Sequence, residues 1–467
     1  MNLIFNYLYV IGAVLLLFGA AIFVHEFGHY WMARRRGLKV EAFAIGFGPK
    51  IFGWTRDGIE YSWRWIPAGG YVKLPQMITA DAIEGKREGA PLPPVSPWSK
   101  ILVAFAGPFM NIVFAFAIAA FIYVVGLPIA HNPSIIGYVE PNSDEARCGL
   151  REGDSVVSVD GKRVKSWEDV QSTTILARTN VLAVVTERDG LRYTNQLRAK
   201  VSDVFGLKML NLDPKDHPVI NEVTSGGAAE AGGLLKGDEI VSVGDIPVAG
   251  QNQFIELIKK RGGVATEIVV KRKVERLVLK VTPRLDEKEK VGRIGAIIGS
   301  SSTVVYRVMK PGPTPWAQVA DVFNKTIATF SALFHSKQTG VGAKDLSGPI
   351  GIFAILAAQV NADYRLALSF LVLLNVNLAI LNLLPVPVLD GGHILMALVE
   401  RVRRRPLSVK FVEYTTTAFA VLLISFMLYV SFFDIKRISL FRAMFKRDTQ
   451  IEQQEKTLDS PAPLPSK

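Results

Sequence analysis

His25 and His29 stand four residues apart, with Glu26 directly after the first, in the stretch AIFVHEFGHYW from Ala21 to Trp31. Side chains at i and i+4 of an α-helix share a face. Both imidazoles can therefore reach one zinc ion, with the glutamate beside it to activate a water. Histidine supplies only 6 of 467 residues; with glutamate at about one in twenty, a chance HExxH here has an expectation on the order of 0.004. A catalytic zinc keeps three protein ligands and one open position, so a third donor must come from elsewhere. The best source is NVNLAILNLLPVPVLDGGHIL, residues 375–395. This apolar helix carries Asn375, Asn377 and Asn382 and breaks at Pro385 and Pro387. Asp390 then starts a new helical turn, and Gly391 and Gly392 allow close backbone approach. His393 is a rival ligand; a carboxylate is the better completion beside two neutral imidazoles, which favours Asp390.

The elements that must hold these residues are apolar. No charged residue occurs between Met1 and Val24, and hydrophobic residues make up 49% of the chain. Four runs, roughly 3–24, 101–125, 366–389 and 415–433, can each cross a hydrocarbon core of ~30 Å, which takes about 20 helical residues. The first run has no Lys or Arg before it and leads straight into HEFGH instead of a small-residue cleavage site, so a retained helix is expected. Polar groups this deep in apolar spans are costly and usually serve function. The net charge of +12 could speak for nucleic acid, but the basic residues cluster at the ends of the apolar runs. Arg34, Arg35, Arg36 and Lys39 follow the first, and Arg401, Arg403, Arg404, Arg405 and Lys410 separate the third and fourth. The positive-inside rule puts both clusters in the cytoplasm, leaving the N-terminus, residues 130–310 and the C-terminus outside. Lys436, Arg437, Arg442, Lys446 and Arg447 oppose this but come late in the chain. In this topology the C-terminal ends of the first and third runs meet near the cytoplasmic side, where Asp390 can reach the zinc. Cys148 is the sole cysteine, which rules out an intramolecular disulfide; it is expected as a small buried residue.

Between the runs, aromatic and β-branched residues over 42–75, broken by Gly, Pro and the RDG turn at 56–58, predict a hairpin. It is too apolar for a solvated loop and is expected against the membrane or the bundle. The middle region repeats itself: GLREGDSVVSVDGKRV begins at Gly149 and GLLKGDEIVSVGDIPV at Gly233, 84 residues later. Each copy follows an extended segment and an Ala-bearing turn and precedes a helix, near 167–177 and 251–261. The pattern resembles the PDZ domain in its circularly permuted form, which binds extended peptides at a sheet edge. Apolar residues from Trp316 to Phe334 fall at helical spacing, predicting an amphipathic helix on the outer membrane surface or packed on the PDZ pair. The expected organisation is membrane helix 1 with HExxH at 1–41, the hairpin region at 42–79 and a polar linker at 80–97. Membrane helix 2 follows at 98–126, the PDZ domains at 127–212 and 213–300, and the amphipathic helix with its connector at 301–362. Membrane helix 3 with the LDG motif takes 363–400, a cytoplasmic loop 401–411, membrane helix 4 412–435 and a tail 436–467, disordered over 448–467.

With HEFGH ending a first span, GPFMN at 107–111 in the second and NLLPVPVLDGGH in the third, the chain resembles the site-2 protease family of intramembrane zinc metalloproteases. The tandem PDZ pair places it near that family's bacterial branch, and GFGP at 46–49, GGYVKL at 69–74 and SGPIGI at 347–352 fit as well. The resemblance implies an α-helical integral membrane protein of four spans with a membrane-associated β-hairpin, and two α/β PDZ domains inserted between helices 2 and 3. It implies Zn2+ on His25, His29 and Asp390, which adds to the preference for Asp390 over His393. It also implies Glu26 as general base, and Asn377 and Asn382 holding the substrate backbone or the oxyanion. The hairpin would offer a strand edge to an unwound substrate. Substrates would be single-pass membrane proteins already trimmed outside, such as an anti-sigma factor, or remnant signal peptides. The PDZ domains would face the periplasm of a bacterial inner membrane, with peptide ligands or a size-filter role, the bilayer as partner and no nucleic acid. Two rivals remain. A non-enzymatic PDZ scaffold with a decayed zinc site would keep its role after Glu26→Gln; a zinc transporter would lack a duty for that glutamate and would show metal flux in vesicles.

Overall fold

The computed structural model describes residues 3–77, 93, 95–130, 134–139, 143–201, 207–215, 217–272, 275–286, 290–299, 303–405, 407–445 and 448–453. Most of the linker expected over 80–97, and the tail beyond 453, lie outside them. In chain order the elements used below are α1 (Leu3–Arg35), β1 (Ala42–Arg56), β2 (Ile59–Lys73) and α2 (Pro97–Val125). The first repeat follows with β3 (Ser155–Val159), α3 (Trp167–Leu176), β4 (Val181–Arg188) and β5 (Leu191–Arg198), and the second with β6 (Glu239–Val243), α4 (Gln251–Lys259), β7 (Thr266–Arg272) and β8 (Glu275–Val281). Then come β9 (Thr303–Met309), α5 (Pro315–Phe334), α6 (Pro349–Ala362), α7 (Tyr364–Asn382), α8 (Asp390–Arg403), α9 (Val409–Lys436), α10 (Ile438–Phe445) and β10 (Asp448–Gln453).

The chain forms two units. One holds residues 1–127, 309–327 and 344–445; the other holds 128–308, 328–343 and 446–467. The first is a helical assembly whose surface inverts the pattern of a water-soluble protein. Leu16 is 72% and Leu428 68% exposed, while Asn111 and Asn375 are wholly buried. An apolar exterior around buried amides is what hydrocarbon surroundings demand. Ala21, Ala115, Ile118, Ile122, Leu371 and Val376 form the centre of its core. α5 joins this unit through Val319 and Val322, Trp316 stacks on Phe116 with centroids 6.2 Å apart, and Gln318 donates to the Ala119 carbonyl at 3.1 Å. Its first half thus packs on the bundle itself, a placement neither sequence expectation named.

Among the described residues, five helical segments are long and apolar enough to cross a membrane, one more than the four expected spans. The addition is Ala343–Ala362. Its continuous helix, α6, has only 14 residues, about 21 Å at 1.5 Å per residue, and Gly348, Pro349 and Asp363 bound it; its apolar run is too short to register as a span in sequence. Asp363 divides α6 from α7, its side chain accepting from Arg365 N at 2.7 Å. Asp434 of α9 accepts from Gly351 N at 2.8 Å, fixing the first turn of α6.

β1 and β2 turn at Asp57 and Gly58, both with positive φ (54° and 75°), the two-residue turn that suits strand twist. The ribbon then folds back on itself. Residues 42–45 pair on one side with 60–63 and on the other with 70–73, while 52–56 pair with 59–63. Two long strands thereby become a four-ribbon sheet with 70–73 at one end. Ile51, Phe52, Trp63 and Trp65 are exposed, an apolar face suited to the membrane boundary.

In the second unit the repeats are copies in detail. β3 pairs with β4 and β4 with β5; β6 pairs with β7 and β7 with β8. Each has its own core, around Ile136, Trp167 and Leu182 in the first and Ile220, Phe254 and Ile268 in the second. In the first, Leu212–Pro214 pairs with Ile136–Val139; in the second, Ala296–Gly299 pairs with Val219–Val223. Two sequence expectations are corrected here. Cys148 is exposed, because it caps the short helix Asp144–Arg147 at the rim of the repeat. Residues 448–453 are not disordered but form β10, pairing in parallel with β9, where backbone pairing outweighs a polar composition.

Candidate metal centre

His25, Glu26 and His29 lie in the last three turns of α1. The two imidazoles stack edge to face, centroids 4.8 Å apart, with Nε2 atoms 3.2 Å apart. α8 opens on Asp390, whose Oδ2 lies 3.3 Å from His25 Nε2 and whose Oδ1 lies 3.4 Å from His29 Nε2. Among the described residues this is the group of His, Cys, Asp and Glu donors that could hold a metal, with ligand atoms all within 4.8 Å of one another. His393, the rival ligand, is not part of it. Glu26 is 8% exposed beside the cluster.

Backbone proximity makes this convergence possible. A Cβ on Gly28 would collide with the Ala106 carbonyl, and one on Gly107 with the His29 ring, so α1 and α2 can approach this closely beside the cluster because both positions are glycine. Gly391 and Gly392 play the same part for Asp390: a Cβ on either would overlap carbonyls of the 383–386 loop. The C-terminal end of α8 is held by Glu400, buried and paired with Lys100 of α2 at 2.8 Å.

The hydrogen bonds decide what the cluster can hold. His29 Nδ1 faces the Val103 carbonyl at 2.8 Å. A carbonyl only accepts, so Nδ1 carries a proton, and in the neutral ring Nε2 then presents a lone pair to the Asp390 carboxylate. Asp390 Oδ2 is buried without a hydrogen-bond partner. Lone pairs facing one another in an apolar surrounding need a cation between them. Two imidazoles and a carboxylate are a three-ligand set that leaves a zinc ion one open position, so the donors present fit that metal.

Of the two predicted asparagines, Asn382 is at hand, its Nδ2 3.5 Å from His25 Nε2. Asn377 is not brought to the cluster by any described contact; its Oδ1 accepts from Thr326 of α5 at 2.6 Å. Sequence reasoning gave no role to Val103, Gly28 or Gly70. A Cβ on Gly70, in the end ribbon of the sheet, would press on Glu26 Cγ and the Ala44 carbonyl, both at 2.8 Å. The end ribbon therefore lies directly over the glutamate.

Comparison with known proteins agrees with this geometry. Residues 13–426 match the profile of Peptidase family M50. The chain is 30% identical over 460 residues to the regulator of sigma-E protease RseP of Escherichia coli, covering 93% of this chain and 100% of that one. It is 31% identical over 456 residues to the protease RseP of Yersinia pestis, covering 92% and 99%. A Vibrio cholerae protein whose name includes the words zinc metalloprotease is 30% identical over 466 residues, covering 91% and 98%. With a family match over most of its length and relatives aligned nearly end to end, the chain belongs to peptidase family M50, the site-2 protease family.

Proposed function

We propose that this chain is an intramembrane zinc metalloprotease of a bacterial inner membrane. Its substrates are single-pass membrane proteins already shortened on the outer side, an anti-sigma factor or remnant signal peptides among them. One observation carries the reading: three lone-pair donors from α1 and α8 converge beside a buried glutamate inside an assembly with an apolar exterior. His25, His29 and Asp390 hold the metal. Zinc, when bound, acts as a Lewis acid on the scissile carbonyl and acidifies a water. Glu26 takes the proton of the attacking water and delivers it to the leaving amine. Asn382 faces the same space and steadies the carbonyl oxygen. Asn377, whose Oδ1 accepts from Thr326, can contribute through its NH2 group.

A peptide bond inside a helix is shielded, so the substrate must unwind, and each unpaired backbone group in hydrocarbon costs several kcal/mol. The end ribbon at 70–73, lying over Glu26, offers a partner strand that offsets this cost. The repeats, read as a PDZ pair facing the periplasm, filter substrates by the size of their outer portion.

The proposed topology keeps four spans, α1, α2, α7 and α9, with the repeats and the tail outside in spite of the tail's basic residues.

The test is cleavage of a tagged, pre-trimmed single-pass substrate by the full-length chain, native against Glu26→Gln, with the zinc content of both measured. The reading requires cleavage by the native chain alone and one zinc in each. A native chain without bound metal would reduce the cluster to a protonated imidazole–carboxylate pair and end it. Deleting Ile135 to Pro283 should let untrimmed substrate be cut; its survival intact would end the size-filter role.

A further inference from the structure

We infer that Asn111 is a positioning residue for His25, its side-chain carbonyl accepting the Nδ1 proton so that Nε2 is held as a lone pair toward the metal position. The inference deepens the zinc-protease reading and rests on it. Asn111 is 0% exposed in the middle of α2. Its side-chain amide lies 3.2 Å from His25 Nδ1, with Nδ2 as the facing atom, and its Oδ1 is buried without a partner. The two ends of a carboxamide have the same shape, so hydrogen-bond chemistry decides which end faces the ring. His25 Nε2 faces Asp390 Oδ2 at 3.3 Å and His29 Nε2 at 3.2 Å, so it is the nitrogen that must be free to ligate. A neutral imidazole has one N–H, which then sits on Nδ1. An NH2 group cannot accept it and a carbonyl can, so the amide presents its oxygen.

His29 shows the same arrangement already made, with Nδ1 on the Val103 carbonyl. Val103, Gly107 and Asn111 follow one another at four-residue steps on one face of α2. That face gives His29 a backbone oxygen, clears its ring at Gly107 and gives His25 a side-chain oxygen. Both tautomers are set by one helix, and the metal-facing nitrogens need no rearrangement when the ion arrives. Partners of this kind typically change metal affinity 10–100-fold.

The experiment is zinc affinity of the full-length chain in detergent, by chelator competition, for the native protein, Asn111→Leu and Asn111→Asp. Leucine keeps the volume and has no acceptor; zinc should bind about 10–100-fold more weakly. Aspartate only accepts, and zinc should bind at least as tightly as to the native chain, a rescue that loss of packing would not produce. Native affinity in Asn111→Leu, or more than tenfold weakening in Asn111→Asp, overturns the inference. If the leucine variant does not fold, the aspartate variant decides alone by the same criterion. A native chain that binds no zinc overturns the proposed function along with this inference. A native chain that binds zinc with both variants unchanged overturns only the role of Asn111.

Discussion

Asp154 and Asp238 in the repeats and Asp390 in the helical unit are all carboxylates taken out of water, and they are treated in opposite ways. Asp154 accepts from Arg188 Nε and Nη2 at 2.5 and 2.6 Å and from Arg151 N at 2.9 Å. Asp238, 84 residues on, accepts from Arg272 Nε and Nη2 at 2.7 and 2.8 Å and from Leu235 N at 2.9 Å. Each arginine also donates to a carbonyl, of Gly149 or Gly233. Both aspartates are 0% exposed and fully satisfied, so each acts as a brace closing the loop ahead of a strand. Asp390 has no guanidinium. It faces two imidazole nitrogens, and Oδ2 has no hydrogen bond. Burial of a charge therefore does not by itself mark a reactive site; at Asp390 the unfilled lone pair faces two imidazole nitrogens, which a brace does not.

The largest effect that sharpens this contrast is Asp390→Asn. Zinc affinity should fall by more than about 100-fold, beyond what outer partners contribute, and proteolysis should vanish while the chain stays folded. Zinc titration with a thermal melt checks it, and an unfolded Asp390→Asn chain that has lost no affinity per folded molecule would place Asp390 with the braces. Glu26→Gln comes next, with cleavage down about 10²–10⁴-fold and zinc content unchanged; loss of the metal instead would make Glu26 a ligand.

The third change runs the other way. Asp154→Asn leaves Arg188 with half its partner and should destabilise the first repeat by about 1–3 kcal/mol, with zinc affinity and Glu26-dependent cleavage of a short substrate unaffected. Urea unfolding followed through a fluorine label on Trp167, buried in that repeat's core, reads it. A drop in zinc affinity would erase the distinction between brace and site.

The same distinction governs what could be read from sequence. His25, Glu26 and His29 were legible because their relation is local, and Asp390 because a carboxylate after an asparagine-bearing apolar run has little else to do. The repeat was legible through its 84-residue offset, yet the arginines at 188 and 272 that complete its braces lie outside the recurring Gly-Asp pattern. The Val103 carbonyl was not legible at all: a backbone oxygen has no residue type, and its meeting with His29 depends on helices 74 positions apart. Nor was the folding-back of β1 and β2, since residues 42–45 serve two partners and alternation cannot show which. α6 escaped because its apolar run falls short of a full span, and β10 because strand pairing there rests on backbone groups.

The smallest effect is a pH dependence confined to the first repeat. Burial pushes the Asp154 carboxyl up, but the Arg188 hydrogen bonds and the Arg151 N–H outweigh it and hold the group below its ordinary 3.8. The unfolded chain thus takes up a proton at higher pH than the folded one. Stability from this group is fully present above about pH 5 and is lost as pH falls through the unfolded value near 3.9 toward the lower folded one. Unfolding at pH 7, 5, 4 and 3, followed at Trp167, should show a decline between 5 and 3 in the native chain that is shallower in Asp154→Asn. An equal decline in both would assign the acid sensitivity to other carboxylates and leave the brace a matter of hydrogen-bond geometry alone.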